Sequence, residues 1–293
     1  MHYLLSIVIV TYKSDKYIYD CLNSIFKYNE IGEQLKVVVV DNSPVECSII
    51  EKCSIQYPDV LFIPNPANTG FGAANNIGAA TVDSDFILFF NNDTELIEPV
   101  FKKIIAQFTK NEKLGCVGIR QKGGGRSYFQ RLWVNLPKKE IRQIKKEGKY
   151  DFRIHFFSGA FMFFSRVAFE KCGRFDEKIF MYYEEQDIMN RLYQCGYESK
   201  FDNTICFLHK VGNRKFFSED SIYRGNESAY YYMVKYDIPS PQKIYFKRLF
   251  FIKKLIIYQL LVFDFKKAAI LFRALIKSKK NFYVYQKKYA NSI

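Results

Sequence analysis

The chain has 293 residues, 48% of them hydrophobic, with 18% aromatic and a net charge of +14. That composition excludes a disordered chain and allows one large core or two smaller ones. No run reaches the ~18 uncharged apolar residues that a membrane-spanning helix needs, and the opening Met1-His2-Tyr3-Leu4-Leu5-Ser6 lacks the basic start and small-residue cleavage site of a signal peptide.

Leu5 to Val10 is a β-branched apolar run, which suits a strand buried on both faces. Thr11 and Tyr12 turn out of it, Ser14 is placed to cap a helix, and Ile18, Leu22, Ile25 and Phe26 supply that helix's apolar face. Val37 to Val40 is a second buried strand ending at Asp41-Asn42-Ser43-Pro44. A short helix over about 45–57 and a third strand near 60–63 follow. Strand and helix alternating through short links imply βαβ units and a parallel sheet. Asn68-Thr69-Gly70 is turn chemistry, and the small residues from Phe71 to Thr81 suit a helix packed closely on that sheet.

Phe86-Ile87-Leu88-Phe89-Phe90 is a fourth buried strand that stops abruptly at Asn91-Asn92-Asp93. Ligands of open parallel sheets sit beyond the carboxyl ends of the strands, so Asp93 stands at the mouth of a site. Alone, it would be an ordinary Asn/Asp turn. Pro99 opens a helix running to about Lys110, and Cys116 to Ile119 reads as a further strand. From Gln121 to Tyr150 the pattern fails, apart from a short helix near Lys138. Gly123-Gly124-Gly125 and the basic residues after it, Arg131 among them, read either as a mobile lid beside the site or as a solvated charged face. The core resumes at Phe156 to Phe164, Ser165 is placed to cap a short helix, and a helix runs from near Glu185 to Gly196. Strands near Glu198 and Ile205 lead to His209.

Pro239-Ser240-Pro241 is the one evident linker, which divides the chain into 1–240 and a helical tail over 241–293. The tail carries thirteen Lys and Arg against one acid, Asp264, leaving 31 basic and 29 acidic residues for the body, a balance of +2. A nearly neutral body argues against a nucleic-acid-binding protein. In the tail, Phe250, Ile252, Leu255, Ile256, Leu260 and Phe263 share one broad helical face edged by Lys247, Arg248, Lys253 and Lys254. Such a helix suits the interface of an anionic membrane, or else packs on the body or on a partner. The seven cysteines form no CxxC pair and their count is odd, so reduced thiols are expected rather than a zinc site or disulfide framework.

The succession Ser6 to Tyr12, Val40-Asp41-Asn42-Ser43, Asn68 to Asn75, Asn91-Asn92-Asp93-Thr94, Tyr183-Glu184-Glu185-Gln186-Asp187 and His209 resembles the family 2 glycosyltransferases. It is most similar to their bacterial rhamnosyltransferase-like branch, over roughly residues 4–236. The resemblance implies an α/β GT-A fold, a nucleotide-sugar donor such as dTDP-rhamnose or a UDP-hexose, a divalent cation (Mg²⁺ or Mn²⁺), and inversion at the anomeric carbon. The basic amphipathic tail adds the expectation of a saccharide acceptor carried on a lipid, and of a role in surface polysaccharide synthesis at the cytoplasmic face of the membrane.

On that resemblance Asp93 is the metal carboxylate and His209 a remote ligand. Asn91 stands where the family often has a second acid. Asp41 meets the nucleobase, with Thr11 and Tyr12 in the same pocket, and Asn68, Gly70, Asn75 and Asn92 border the donor. The family's Glu-Asp base position holds Glu184-Glu185 here. Inverting displacement needs one general base, and Glu185 is assigned to it, with Glu184 and Asp187 in support. Asp187 also suits an i,i+4 ion pair with Arg191.

Gly70-Phe71-Gly72-Ala73-Ala74-Asn75 approaches the dinucleotide fingerprint GxGxxG. It follows the third strand rather than the first, and Asn75 replaces the last glycine, so a dehydrogenase reading is set aside. A nucleotidyltransferase on a related α/β core and a non-enzymatic basic membrane adaptor remain as alternatives. Oligomeric state is left open.

Overall fold

A computed structural model of the protein describes residues 2–13, 17–131, 136–210 and 218–290. The chain forms two compact units, one of residues 1–177 and 185–213, the other of residues 178–184 and 214–293.

The first unit is built on an eight-stranded sheet. Its elements are β1 (His2–Thr11), α1 (Ile18–Lys27), β2 (Leu35–Asp41), α2 (Ile50–Gln56), β3 (Leu61–Pro64), α3 (Phe71–Ala80), β4 (Asp83–Phe90), β5 (Thr94–Leu96), α4 (Phe101–Lys110), β6 (Leu114–Lys122), β7 (Tyr128–Gln130), α5 (Lys138–Glu147), β8 (His155–Phe157), β9 (Phe161–Ser165), α6 (Arg166–Lys171), α7 (Glu184–Gln194, whose first residue falls in the other unit) and β10 (Glu198–His209). The strand order is β3-β2-β1-β4-β9-β6-β10-β5. β1 to β4 run parallel, as do β6 and β10, while β9 runs antiparallel between β4 and β6, and β5 runs antiparallel to β10.

The parallel half follows from the apolar runs. Leu5, Ile7, Val8 and Ile9 are fully buried, as are Ile87, Leu88 and Phe89, because helices cover both faces of these strands. One face packs on α1 and α4, through Ile18, Leu22, Ile25 and Ile104. The other packs on α6 and α7, through Phe169, Ile188 and Leu192. Helix α3 lies so close to the sheet that a Cβ on Gly78 would stand 2.4 Å from Val8 Cγ1, so the close approach requires glycine there. In register, Thr11 stands beside Asp41, and Val8 beside Phe89, which brings the ends of β1, β2 and β4 to one edge.

Some details depart from the sequence expectations. Helix α1 starts at Ile18 behind Tyr17, and Ser14 lies outside the described residues. Ser165 precedes α6 but makes no capping hydrogen bond through its side chain. The two strands expected near Glu198 and Ile205 are one strand, β10, with register shifts at 198–199 and 202–206. Residues 121–150 are not a featureless loop. β7 pairs with β8, and α5 ends at Gly148 in a left-handed conformation. Arg131 is buried, with its guanidinium donating to the carbonyls of Phe152, His155 and Met189.

The second unit consists of residues 178–184 with α8 (Glu219–Lys235), α9 (Pro241–Leu261), α10 (Phe265–Lys280) and α11 (Phe282–Ala290). Helix α8 lies before the Pro239-Ser240-Pro241 linker, yet its tyrosines form the core of this unit with Tyr245, Leu249, Leu271, Tyr285 and Tyr289. Ser218 caps α8 reciprocally with Ser221. The single apolar face expected in the tail divides. Ile252, Leu255 and Ile256 turn to the core, because α8 and α10 offer apolar surface there, whereas Phe250, Leu260 and Phe263 are exposed. Among the described residues, no helix is long and apolar enough to cross a membrane.

Candidate active site

Strand β4 delivers Asn91, Asn92 and Asp93 at the sheet's carboxyl edge. The next three residues form β5, which pairs with the end of β10 so that Thr94 stands opposite His209. That pairing carries Asp93 to His209, with Asp93 Oδ1 3.3 Å from His209 Nε2 and each residue only 5% exposed. The turn is held firmly. Lys210 N–H donates to the Asp93 carbonyl at 3.0 Å, and both the amide and the hydroxyl of Thr94 donate to the Asn91 carbonyl. A carboxylate and an imidazole so close form an O,N pair able to hold a divalent cation whose other ligands come from phosphate and water. Among the described residues no group of three His, Cys, Asp or Glu side chains suits a metal, so Asp93 and His209 fit a cation only as a two-ligand set.

The neighbouring strand ends knit to this turn. Asn92 Nδ2 donates to Thr11 Oγ1 at 3.2 Å, and Asn42 N–H donates to the Thr11 carbonyl at 2.9 Å. Thr11 is buried, while Tyr12 is half exposed. Asp41 is buried and spends both carboxylate oxygens on the loop that follows it. Oδ1 accepts from Ser43 N–H, and Oδ2 accepts from the Ser48 hydroxyl at 2.8 Å and from Ile49 N–H at 3.0 Å. Asn42 donates to the Gly70 carbonyl and accepts from Asn65, and Asn68 Oδ1 accepts from Gly70 N–H. Thr11, Asp41, Asn68, Gly70 and Asn92 therefore belong to one connected web. Asn75 is buried on α3 with its amide donating to the Phe71 carbonyl at 3.0 Å. Its neighbour Asn76, which the sequence reading passed over, bonds both main-chain groups of Phe175 and anchors the segment leading to Glu177.

The acids of α7 separate into different environments. Asp187 is fully buried and pairs with Arg191 at 2.7 Å, as the i,i+4 spacing suggests. Glu184 is buried at the start of the helix. Glu185 is half-buried and lies against the Ser158-Gly159-Ala160 turn, where a Cβ on Gly159 would stand 2.5 Å from Glu185 Oε1. Burial pushes the Glu185 pKa up from the ordinary carboxylate value, while main-chain N–H groups of Glu185 and Gly159 pull it the other way. The same turn reaches the Asp93 loop, since the Ala160 carbonyl accepts from Asn91 N–H at 3.2 Å. Gly159 is thus a site residue that the sequence reading missed. Its only trace in the sequence was a small-residue break inside the aromatic run Phe156 to Phe164.

A family model described as Glycosyl transferase family 2 matches residues 6–173, more than half of the chain, from within β1 through β9 and α6. The chain belongs to glycosyl transferase family 2. This family 2 glycosyltransferase is 23% identical over 236 residues to N-acetylglucosaminyl-diphospho-decaprenol L-rhamnosyltransferase of Mycobacterium tuberculosis, covering 70% of this chain and 76% of that one. It is 26% identical over 237 residues to rhamnosyltransferase WbbL of Escherichia coli, covering 73% and 86%. Among solved structures, it resembles the mannosyltransferase PcManGT of Pyrobaculum calidifontis in complex with GDP-Man and Mn²⁺, with a TM-score of 0.59 at 13% identity, covering 94% of this chain and 86% of that one. The fold is accordingly GT-A-like, a mostly parallel sheet flanked by helices.

Proposed function

We propose that this glycosyltransferase moves a sugar, from dTDP-rhamnose or a UDP-hexose, to a lipid-linked saccharide acceptor during surface polysaccharide synthesis of the capsule or O-antigen kind, with inversion at the anomeric carbon. The observation that carries the reading is the convergence of Asp93 and His209 beyond the carboxyl end of β4. Asp93 and His209 would hold Mg²⁺ or Mn²⁺, and Mn²⁺ in the Pyrobaculum structure supports that assignment. The bound ion would neutralise the departing diphosphate.

Glu185 takes the proton of the acceptor hydroxyl, and that oxygen forms the new bond to the anomeric carbon as the bond to the diphosphate oxygen breaks. Asp187, already paired with Arg191, orients α7 and takes no proton. Asp41 orders the 43–49 loop, and Thr11, Tyr12, Asn68, Gly70, Asn75, Asn91 and Asn92 line or brace the donor pocket.

The acceptor named for the mycobacterial relative, a diphospho-decaprenol carrier, supports a lipid-linked acceptor here. The basic residues of 241–293 and the exposed apolar residues of α9 support peripheral attachment to the inner face of an anionic membrane. The deciding experiment is a donor screen by nucleoside diphosphate release, with and without Mn²⁺. Turnover of dTDP-rhamnose or a UDP-hexose, dependent on the cation, is the expected result. Equal turnover after chelation would overturn the metal assignment.

A further inference from the structure

Within the second unit, α8 and α9 border a cleft of about 660 Å³. Ser221, Ile222, Gly225 and Asn226 form the α8 wall, and the α9 wall is a single helical stripe of Ile244, Lys247, Arg248, Phe251 and Ile252. Tyr182 and Tyr183 close its end, both with positive φ, 65° and 75°, a conformation that bulky residues adopt only when their surroundings enforce it. The surroundings do so here. The Met181 carbonyl accepts from Ser228 Oγ at 2.8 Å, the Tyr183 ring packs on Tyr232, and a Cβ on Gly225 would come within 3.0 Å of the Tyr182 ring.

The charge of this cleft is one-sided. Among the described residues that line it, two are cations and none is an acid. Arg248 Nη1 donates to the Tyr183 hydroxyl at 2.9 Å, but its Nε–H is buried with no hydrogen-bond partner among the described residues. Lys247 is exposed and has no ion-pair partner among them. A buried guanidinium N–H without an acceptor is costly, and a phosphate oxygen is the acceptor that matches its geometry. Beside the two cations, Ile244, Phe251 and Ile252 make the α9 wall apolar, with the polar Ser221 and Asn226 facing them from α8, and the apolar character continues along α9 beyond Phe251, through exposed Ile257, Tyr258 and Leu261.

We propose that this cleft binds the phosphate or diphosphate group of an amphiphile, with Arg248 and Lys247 on the anion and Phe251, Ile244 and Ile252 on the first carbons of its hydrocarbon tail. The proposal rests on the lipid-linked acceptor proposed above and gives that carrier's charged head a location. It makes Lys247 and Arg248 determinants of the carrier and leaves the sugar donor to the first unit.

The test is calorimetric titration of the full chain with farnesyl diphosphate, in EDTA so that no cation draws diphosphate to Asp93. Inorganic diphosphate and farnesol serve as head-only and tail-only probes. Farnesyl diphosphate should bind more tightly than either. Lys247→Met and Arg248→Met should each weaken it about tenfold, the usual effect of losing one charged hydrogen-bond donor, and Arg248→Lys should restore part of the loss. Lys247 is exposed, so its variant tests the cleft without threatening the fold. Wild-type affinity in both Met variants, or no binding by wild type, overturns the proposal. Inorganic diphosphate binding as tightly as the prenyl form would identify a site for free anions and overturn the amphiphile assignment. A parallel titration of UDP and dTDP with Mn²⁺ reports on the transferase reading alone, so failure there leaves the cleft result standing.

Discussion

Gly159 and Glu185 fit together so closely that the carboxylate occupies the space a side chain would take. A Cβ at position 159 would stand 2.5 Å from Oε1 and 3.0 Å from Cγ of Glu185. The Gly159 main-chain N–H also favours the ionised carboxylate against the burial that raises its pKa. The turn from β8 into β9 of the central sheet thus fixes where the proposed base points, and through Ala160 it is tied to the Asp93 loop.

Gly159→Ala should therefore damage the proton transfer more than donor binding. Even a displacement of about 1 Å can cost roughly a hundredfold in rate. Turnover at saturating donor is expected to fall by about that factor, while affinity for nucleoside diphosphate with Mn²⁺ stays near wild type. Unchanged turnover would show that Glu185 is not held by this contact, or is not the base.

Glu185→Gln removes the proton acceptor and should lower turnover by about 10²–10⁴-fold with donor binding intact. In the wild type, transfer should rise with pH through a Glu185 pKa that lies above the ordinary carboxylate value. The stability effect has the opposite sense. A carboxyl whose folded pKa is raised binds more protons folded than unfolded, so its contribution is fully present below the unfolded pKa and is lost as pH rises through the folded one. Glu185→Gln should accordingly melt higher than wild type near neutral pH, and the gain should vanish in the ordinary carboxylate range. Calorimetric melts at several pH values check this. A variant that melts lower than wild type at pH 7 contradicts the raised pKa.

Asp93→Ala deletes the only acid of the proposed two-ligand set. Losing one partner of a buried charged contact costs about 2–5 kcal/mol. Binding of UDP or dTDP in Mn²⁺ should weaken at least ~30-fold, to the level seen with EDTA. His209→Ala should weaken it less, since the imidazole brings no charge to offset the cation's. Mn²⁺-stimulated binding that survives Asp93→Ala would place the cation elsewhere.

The sequence exposed the parallel half of the sheet because its strands are buried on both faces and read as continuous apolar runs. Asp93 and His209 were legible as residues, and Asp93 had a rigid strand behind it. Their meeting depends on the three-residue strand from Thr94 to Leu96 pairing with a strand over a hundred residues away, which no local pattern encodes. Gly159 was invisible for the same reason, since its partner Glu185 lies on a different element. Helix α8 was missed because its Tyr-rich sequence buries several faces against three other helices and shows no simple amphipathic period. Residues 121–150 looked like a charged loop because Arg131 carries a charge whose buried partners are main-chain carbonyls, which have no sequence signature.

Arg131 is accordingly expected to be structural. Arg131→Met keeps much of the apolar stem but leaves the carbonyls of Phe152, His155 and Met189 without their donor. Each lost charge-assisted hydrogen bond contributes about 1.5–3 kcal/mol before local relaxation. A net loss of about 2–4 kcal/mol should lower the melting temperature by roughly 5–15 °C. If the basic residues of 121–150 formed only a solvated face, the melting temperature would not move.

The turn between α9 and α10 presents the strongest case for a membrane surface. Leu261, Phe263 and Phe265 are 72%, 78% and 62% exposed, and the adjoining Lys266 and Lys267 are also exposed. Fully burying a large apolar side chain is worth about 1.5–3 kcal/mol, and a basic residue near an anionic surface adds about 1 kcal/mol. Flotation with vesicles containing phosphatidylserine should therefore retain the full chain, and phosphatidylcholine vesicles should retain much less. Raising the salt should weaken the interaction through screening of the lysines. Leu261→Asp with Phe263→Asp should lower binding about a hundredfold without changing affinity for nucleoside diphosphate and Mn²⁺, since neither residue belongs to the first unit. Equal flotation of this double variant would mean that these side chains do not meet lipid, and a change in sedimentation from an oligomer to a monomer would instead assign the turn to a contact between copies of the chain.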